Sequence, residues 1–123
     1  MAWHGDYGPQ AGPDFPGCSR VYTDVYYIVR FEWDEAKSDA NLAERGFDFE
    51  FASLVFDSPT LEVEDRRKDY GERRVVAIGI AEGFHLTVVY TDRQATGGDV
   101  IRRIISARRS SRHERTIYQK ANP

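Results

Sequence analysis

Apolar and polar residues alternate in the stretch from residue 21 to residue 33. Every second residue from Val25 to Trp33 is apolar, and the stretch is rich in β-branched and aromatic side chains. Because a strand places successive side chains on opposite faces of a sheet, the pattern predicts a first β-strand over residues 21–33 with one buried face.

Apolar residues take helical spacing after this first strand. Asp34 is a suitable N-cap for a helix, and Gly46 is suited to the left-handed conformation that often follows one. Asp48 then precedes apolar residues between Phe51 and Phe56 that share one helix face. The pattern therefore predicts two helices, the second of which ends near Pro59.

The rest of the chain returns to a period near two in four further segments, which are predicted as strands. The connections between them are too short for parallel crossovers, so we expect an antiparallel meander. Ser111 and Glu114 have capping-box spacing and predict a terminal helix. The order β-α-α-β-β-β-β-α describes an α+β fold: an antiparallel sheet with two N-terminal helices and one C-terminal helix. The four segments are residues 61–64, 75–81, 84–90 and 100–107.

Length and composition indicate one globular domain, since the chain has 123 residues of which 41% are hydrophobic and 30% charged. Residues 1–20 are rich in Pro and Gly and are predicted to be a flexible tail before a domain of residues 21–123. No apolar run approaches the roughly 20 residues that cross a bilayer, and the N-terminus lacks a secretory pattern. We therefore expect a soluble cytoplasmic protein without a membrane partner.

The formal net charge of −3 hides a strong local asymmetry. Between residues 101 and 120 there are seven basic residues and one acidic residue, and a second basic cluster covers residues 66–68 and 73–74. Because charged patches act locally, this distribution favours an anionic ligand on an otherwise acidic body. A solvated charged face is the alternative explanation.

The last predicted strand carries arginines on both of its faces. Simple alternation places Arg103 with Ile105 and Ala107 on one face, and Arg102 with Arg108 on the other. Since the helices must cover one face, a buried arginine is expected there, paired with a bound anion or with a structural carboxylate such as Glu72. The loop of residues 65–74 carries both signs of charge and has an equally simple explanation as an exposed hairpin loop with weak ion pairs.

The chain resembles the BrnT toxins over about residues 31 to 118, and the strand Ile104-Ile105-Ser106-Ala107-Arg108 is the most specific part of the likeness. The resemblance implies a fold similar to RelE-type toxins. It also implies a ribonuclease that arrests translation, a ribbon-helix-helix antitoxin of the BrnA type that neutralises it, and operator DNA bound only through that antitoxin. The other matching segments are Phe31-Glu32-Trp33-Asp34-Glu35, Asn41, Gly46, Phe49-Glu50, Asp69-Tyr70-Gly71-Glu72, Arg74, Val89-Tyr90-Thr91, Glu114-Arg115 and Tyr118.

RNA cleavage by the ribose 2′-hydroxyl needs a base, an acid and cations around the phosphorane. The sequence has no metal-ligand cluster or Gly-rich phosphate loop, so no cofactor and a metal-independent endoribonuclease are expected. The histidines (His4, His85 and His113) are few, and lone histidines are more often structural or exposed than catalytic. We therefore expect Arg67, Arg74, Arg103 and Arg108 to act as phosphate and transition-state cations, and Lys68, Glu72 and Tyr118 to be candidates for proton transfer.

Two departures from the family pattern keep alternatives open. Family members usually carry Lys-His-Gly where this chain has Glu44-Arg45-Gly46, and often a histidine where it has Lys68. Both changes remove a potential acid or base. The main alternative is therefore a catalytically degenerate module that binds its antitoxin and acts in operon autoregulation, and a third hypothesis is a free-standing RNA-binding protein.

Overall fold

The computed structural model describes residues 5–7, 21–24 and 28–123. Within these ranges, one mixed sheet carries helices that pack on it. The strands are β1 (Gly5–Tyr7), β2 (Val21–Asp24), β3 (Ile28–Trp33), β4 (Leu61–Asp65), β5 (Arg74–Ala81), β6 (Phe84–Gln94) and β7 (Val100–Arg109), and the helices are α1 (Glu35–Arg45), α2 (Phe49–Ala52) and α3 (Arg112–Ala121). Short 3₁₀ helices cover Ser53–Asp57 and Thr96–Gly98.

The order of strands in the sheet is β1-β2-β3-β7-β6-β5-β4. The predicted α+β class and the element order from β3 to α3 are confirmed. Strands β4 to β7 form the expected antiparallel meander. The sheet is nevertheless not wholly antiparallel, because β3 lies beside β7 and runs parallel to it. The sequence pattern predicts pairing only between consecutive strands. Strands β3 and β7 are neighbours in the sheet but are separated along the chain by two helices and three strands.

The predicted first strand is two strands in the structure. Strands β2 and β3 pair with each other in antiparallel register, and residues 25–27 between them lie outside the described residues. Val29, Phe31 and Trp33 are buried on one face of β3, as the alternation predicted. Strand β1, which falls inside the segment predicted to be a flexible tail, pairs with β2.

The helix ends follow the capping residues of the sequence. The Asp34 carboxylate accepts hydrogen bonds from two N–H groups at the start of α1, and Gly46 ends that helix with φ of 85°. Helix α2 begins after Asp48 but has only four residues before the backbone tightens into a 3₁₀ helix at Ser53. Phe49 is buried and Phe51 is only half-buried.

The core lies between one face of the sheet and the segment from α1 to the following 3₁₀ helix. The rings of Phe31 and Phe56 stack there with centroids 5.5 Å apart, and Val88 and Ile104 are buried beside them. Gly79 on β5 allows close approach, since a Cβ atom at that position would lie 2.9 Å from Cβ of Val55. Helix α3 packs on the opposite face of the sheet. No helix in the part of the chain that the structure describes is long and apolar enough to cross a membrane.

Candidate active site

A β-bulge in β7 decides which arginines face each side of the sheet. Val89 pairs with Ser106 and Tyr90 pairs with Ile104, so Ile105 is an extra residue in the ladder. The bulge reverses the alternation at this point. Simple alternation was therefore wrong here: Arg102 faces the core while Arg103 and Arg108 face the opposite side.

Arg102 is the buried arginine expected on this strand, with a different partner from the one suggested. Its guanidinium donates two hydrogen bonds of 2.8 Å to the Asp92 carboxylate and lies 4.0 Å from the centroid of the Tyr90 ring. Asp92 is its direct pairing neighbour on β6. Glu72, the carboxylate suggested from sequence, instead accepts a hydrogen bond from Arg74. Arg102 is therefore part of the scaffold beneath the site.

The face that carries Arg108 forms the floor of an open cavity of about 650 Å³. The cavity lies between α3 and the sheet region around β4 and β5. Its floor is apolar and its rim is charged. The floor is formed by Leu61, Val63, Val76, Ile78, Val89 and Ile117, and the polar lining by Arg45, Glu64, Asp65, Arg66, Arg67, Ser106, Arg108, His113 and Glu114.

Arg108 is held at this cavity by a carboxylate from α3. Its two Nη atoms donate to the Oε atoms of Glu114 at 2.8 and 2.9 Å. Glu114 also accepts hydrogen bonds from the backbone N–H of Ser111 and the hydroxyl of Thr87. The Arg108 bonds, followed by those from Ser111 and Thr87, lower the pKa of Glu114 to about 2. The same pairing raises the pKa of Arg108.

Arg67 approaches the cavity from the loop after β4. Its Nε and Nη2 atoms each donate to Asp65 at 2.9 Å, and its backbone N–H donates to the same carboxylate. Asp65 is almost fully buried while Arg67 is mostly exposed. These bonds lower the pKa of Asp65 to about 2. Arg67 and Arg108 both line this cavity, and the positive charge of Arg67 opposes the rise in the pKa of Arg108.

Arg45 reaches the same cavity from the end of α1. Strand β3 pairs with β7 only as far as Ile104, and the carbonyl of Ala107 lies beyond that last pair. The Nη1 atom of Arg45 donates to this carbonyl at 2.7 Å and to Oδ1 of Asn41 at 3.4 Å. The side chain thus spans from the helix layer to the uncovered edge of β7.

Lys68 and Glu72 lie in the loop between β4 and β5, Arg74 is the first residue of β5, and none of the three lines the cavity. The ring of Tyr70 contacts two of them, since Lys68 Nζ lies 5.0 Å and Arg74 Cζ 4.1 Å from its centroid. Arg74 also forms an ion pair of 3.1 Å with Glu72. The loop therefore presents cations next to the cavity and leaves Glu72 engaged by Arg74.

The two remaining predicted residues do not line the cavity either. Arg103 shares the face of Arg108 but forms an ion pair of 3.6 Å with Glu32, which also binds Arg93. Tyr118 is buried, its ring contacts that of His85, and its hydroxyl donates to the carbonyl of Pro59 at 2.8 Å. Burial raises the pKa of Tyr118.

The structure thus brings together Arg67 and Arg108 from the predicted set and adds Arg45, Ser106, His113 and Glu114. Glu114 had two signals in the sequence, the capping box, which is confirmed, and the family resemblance. The contact of Arg45 depends on where β3 stops, and no local pattern encodes that. Among the described residues there is no group of three or more His, Cys, Asp or Glu side chains placed to hold a metal ion.

Comparison with known proteins gives a family assignment. A search of curated proteins found no match. A family model described as the ribonuclease toxin BrnT of type II toxin–antitoxin systems matches residues 33–114, about two thirds of the chain. The matched region runs from the end of β3 to Glu114 in α3 and so includes the polar lining of the cavity. This chain belongs to the BrnT family of ribonuclease toxins, whose systems pair each toxin with an antitoxin.

Proposed function

We propose that this protein is a metal-independent endoribonuclease that cleaves RNA and thereby inhibits translation. The observation that carries the proposal is the convergence of Arg67 and Arg108 on one cavity. Two guanidinium groups at one site are suited to a phosphodiester and to the extra negative charge of the phosphorane that forms during cleavage.

The carboxylates paired with these arginines orient them and leave donors for RNA. A guanidinium has five N–H groups. Glu114 accepts from the two Nη atoms of Arg108, and Asp65 accepts from Nε and Nη2 of Arg67. The Nε of Arg108 and the Nη1 of Arg67 are therefore the donors that we assign to the phosphate oxygens.

The surrounding cations extend this binding surface. Lys68, Arg74 and Arg103 lie outside the cavity lining, and we assign them to the phosphates on either side of the cleaved one. Glu72 and Tyr118 remain candidates for proton transfer only if RNA binding frees them from Arg74 and from the Pro59 carbonyl.

The proposed partner is an antitoxin of the BrnA type with a ribbon-helix-helix domain. A segment of this partner with acidic side chains would cover Arg67 and Arg108 and exclude RNA, because like the substrate it presents anionic oxygens. The complex would act in the cytoplasm and contact operator DNA through the antitoxin.

One observation favours a second candidate function, that of an antitoxin-binding module without catalysis. In the free protein Arg67 and Arg108 are already paired with carboxylates of the same chain. In that case the cavity would bind the partner and act in repression of the operon.

RNA cleavage in the presence of EDTA separates these functions. The purified protein should degrade RNA with and without the chelator, and its expression without a partner should arrest growth of a bacterial host. The double variant Arg67→Ala/Arg108→Ala should do neither while remaining folded. Loss of cleavage on chelation would contradict metal independence, and a folded wild-type protein that cleaves no RNA would favour the binding module.

A further inference from the structure

We propose that His113 is the general base of the site, which accepts the proton of the attacking ribose 2′-hydroxyl. This inference rests on the proposed ribonuclease function. His113 is exposed in the first turn of α3 and lines the same cavity as Arg67 and Arg108. Its imidazole therefore shares the cavity in which a phosphate bound to the two arginines would lie.

The carboxylates of the cavity are poor proton acceptors. Ion pairs and hydrogen bonds hold the pKa values of Asp65 and Glu114 at about 2, and two arginines lower the pKa of Glu64. A carboxylate with so low a pKa has little tendency to take a proton from a hydroxyl group. Each is also engaged by arginine: Glu64 by Arg66 and Arg73, Asp65 by Arg67, and Glu114 by Arg108.

Hydrogen-bond donors, in contrast, are abundant around the cavity. Arg45, Arg66, Arg67 and Arg108 contribute guanidinium groups to its lining. These groups can stabilise the phosphorane and the leaving oxygen by hydrogen bonding, but a guanidinium stays protonated and cannot act as a base. The cavity thus has guanidinium groups that can stabilise the negative charge of the phosphorane. Of its lining residues, His113 is the one suited to accept the 2′-hydroxyl proton.

The side chains proposed from sequence for proton transfer do not fill this role. Tyr118 and Glu72 have partners elsewhere, and Lys68 packs over Tyr70 outside the cavity lining. Histidine is the side chain that most often serves as a general base in enzymes. The imidazole of His113 also has no hydrogen bond or ion pair to another of the residues that the structure describes.

The proposed reaction is a transphosphorylation. The 2′-oxygen forms a bond to phosphorus, its proton passes to the imidazole of His113, and the bond from phosphorus to the 5′-oxygen breaks. The leaving 5′-oxygen takes a proton from water, and His113 returns its proton to solvent. The products are a 2′,3′-cyclic phosphate and a 5′-hydroxyl end.

The test is the variant His113→Ala, with Arg112→Ala as the matched control. Arg112 is the preceding residue of the same helix turn and does not line the cavity. Cleavage by His113→Ala should fall about a hundredfold or more, with unchanged melting temperature and unchanged affinity for an RNA that carries 2′-O-methyl groups. Arg112→Ala should cleave like the wild type.

A substrate with sulfur in place of the 5′-leaving oxygen distinguishes a base from an acid, because sulfur leaves without a proton. The defect of His113→Ala should persist with this substrate. Full rescue would overturn the assignment as a base, and so would a variant that cleaves ordinary RNA at the wild-type rate. If His113→Ala cleaves RNA as well as the wild type does, the assignment of His113 fails but the proposed ribonuclease function stands. If the folded wild type cleaves no RNA at any pH, both proposals fail.

Discussion

The guanidinium of Arg108 donates hydrogen bonds of 2.8 and 2.9 Å to the two carboxylate oxygens of Glu114. Arg108→Ala should lower RNA cleavage about a hundredfold, because a cation that stabilises the transition state is lost. The free energy of unfolding should fall by only about 1 kcal/mol, since Arg108 is half exposed and Glu114 keeps its hydrogen bonds from Ser111 and Thr87. Cleavage assays and urea denaturation measure the two effects.

Arg108→Lys is the control for this prediction. Lysine keeps the charge but loses the planar fork of the guanidinium, so the variant should fold normally and still cleave poorly. Undiminished cleavage by a well-folded Arg108→Ala protein would remove Arg108 from the site.

Arg102 and Arg103 are adjacent in sequence, but their replacement by alanine should lower the free energy of unfolding by very different amounts. Arg102→Ala removes a fully buried side chain that packs on the rings of Phe56 and Tyr90, and the cavity left behind should lower the free energy of unfolding by about 2 to 5 kcal/mol. Arg103→Ala removes an exposed cation and should cost less than about 1 kcal/mol. Denaturation curves that showed equal losses would contradict the burial of Arg102 and the exposure of Arg103. Arg103→Ala should also weaken RNA binding if Arg103 contacts a flanking phosphate.

Stability should fall as the pH is lowered from about 4 towards about 2. The pKa values of Asp65 and Glu114 in the folded protein are about 2, below their ordinary values of 3.8 and 4.5. The native state therefore binds fewer protons than the unfolded state in this window, so this stabilisation is complete above the ordinary pKa values and disappears as the pH approaches 2. Melting temperatures of the wild type and of Glu114→Gln should converge on acidification. A constant difference between them would contradict the prediction.

Tyr118 is expected to stabilise the fold without taking part in cleavage. Tyr118→Phe removes the hydroxyl that donates to the Pro59 carbonyl and keeps the ring that contacts His85. The loss should be about 1 kcal/mol of the free energy of unfolding, with cleavage of RNA close to the wild-type rate. A large fall in turnover with normal stability would restore Tyr118 as a candidate for proton transfer.

The sequence predicted the parts of the fold that local chemistry determines. Asp34, Gly46 and Ser111 have the side chains or backbone freedom that begin or end a helix, and these helix ends are confirmed. The position of β3 beside β7 could not be derived in the same way, because it depends on contacts between segments far apart in the chain.

The candidate site was predictable only in part, for a related reason. Arg67 and Arg108 were found because charge clusters are visible in sequence. The contribution of Arg45 depends on the end of β3, and the faces of Arg102 and Arg108 depend on one unpaired residue, Ile105. Neither of these geometric facts has a signature in composition or periodicity.

The bulge in β7 decides which of two neighbouring arginines, Arg108 or Arg109, faces the cavity. Arg108 faces the cavity, while Arg109 lies on the other face with its guanidinium 5.3 Å from the ring of Phe84. If β7 adopted regular alternation without the bulge, the two neighbours would exchange faces. The two adjacent arginines would then still place one positive charge on each face of the strand. Because the arginine is repeated at positions 108 and 109, one arginine faces the cavity with or without the bulge.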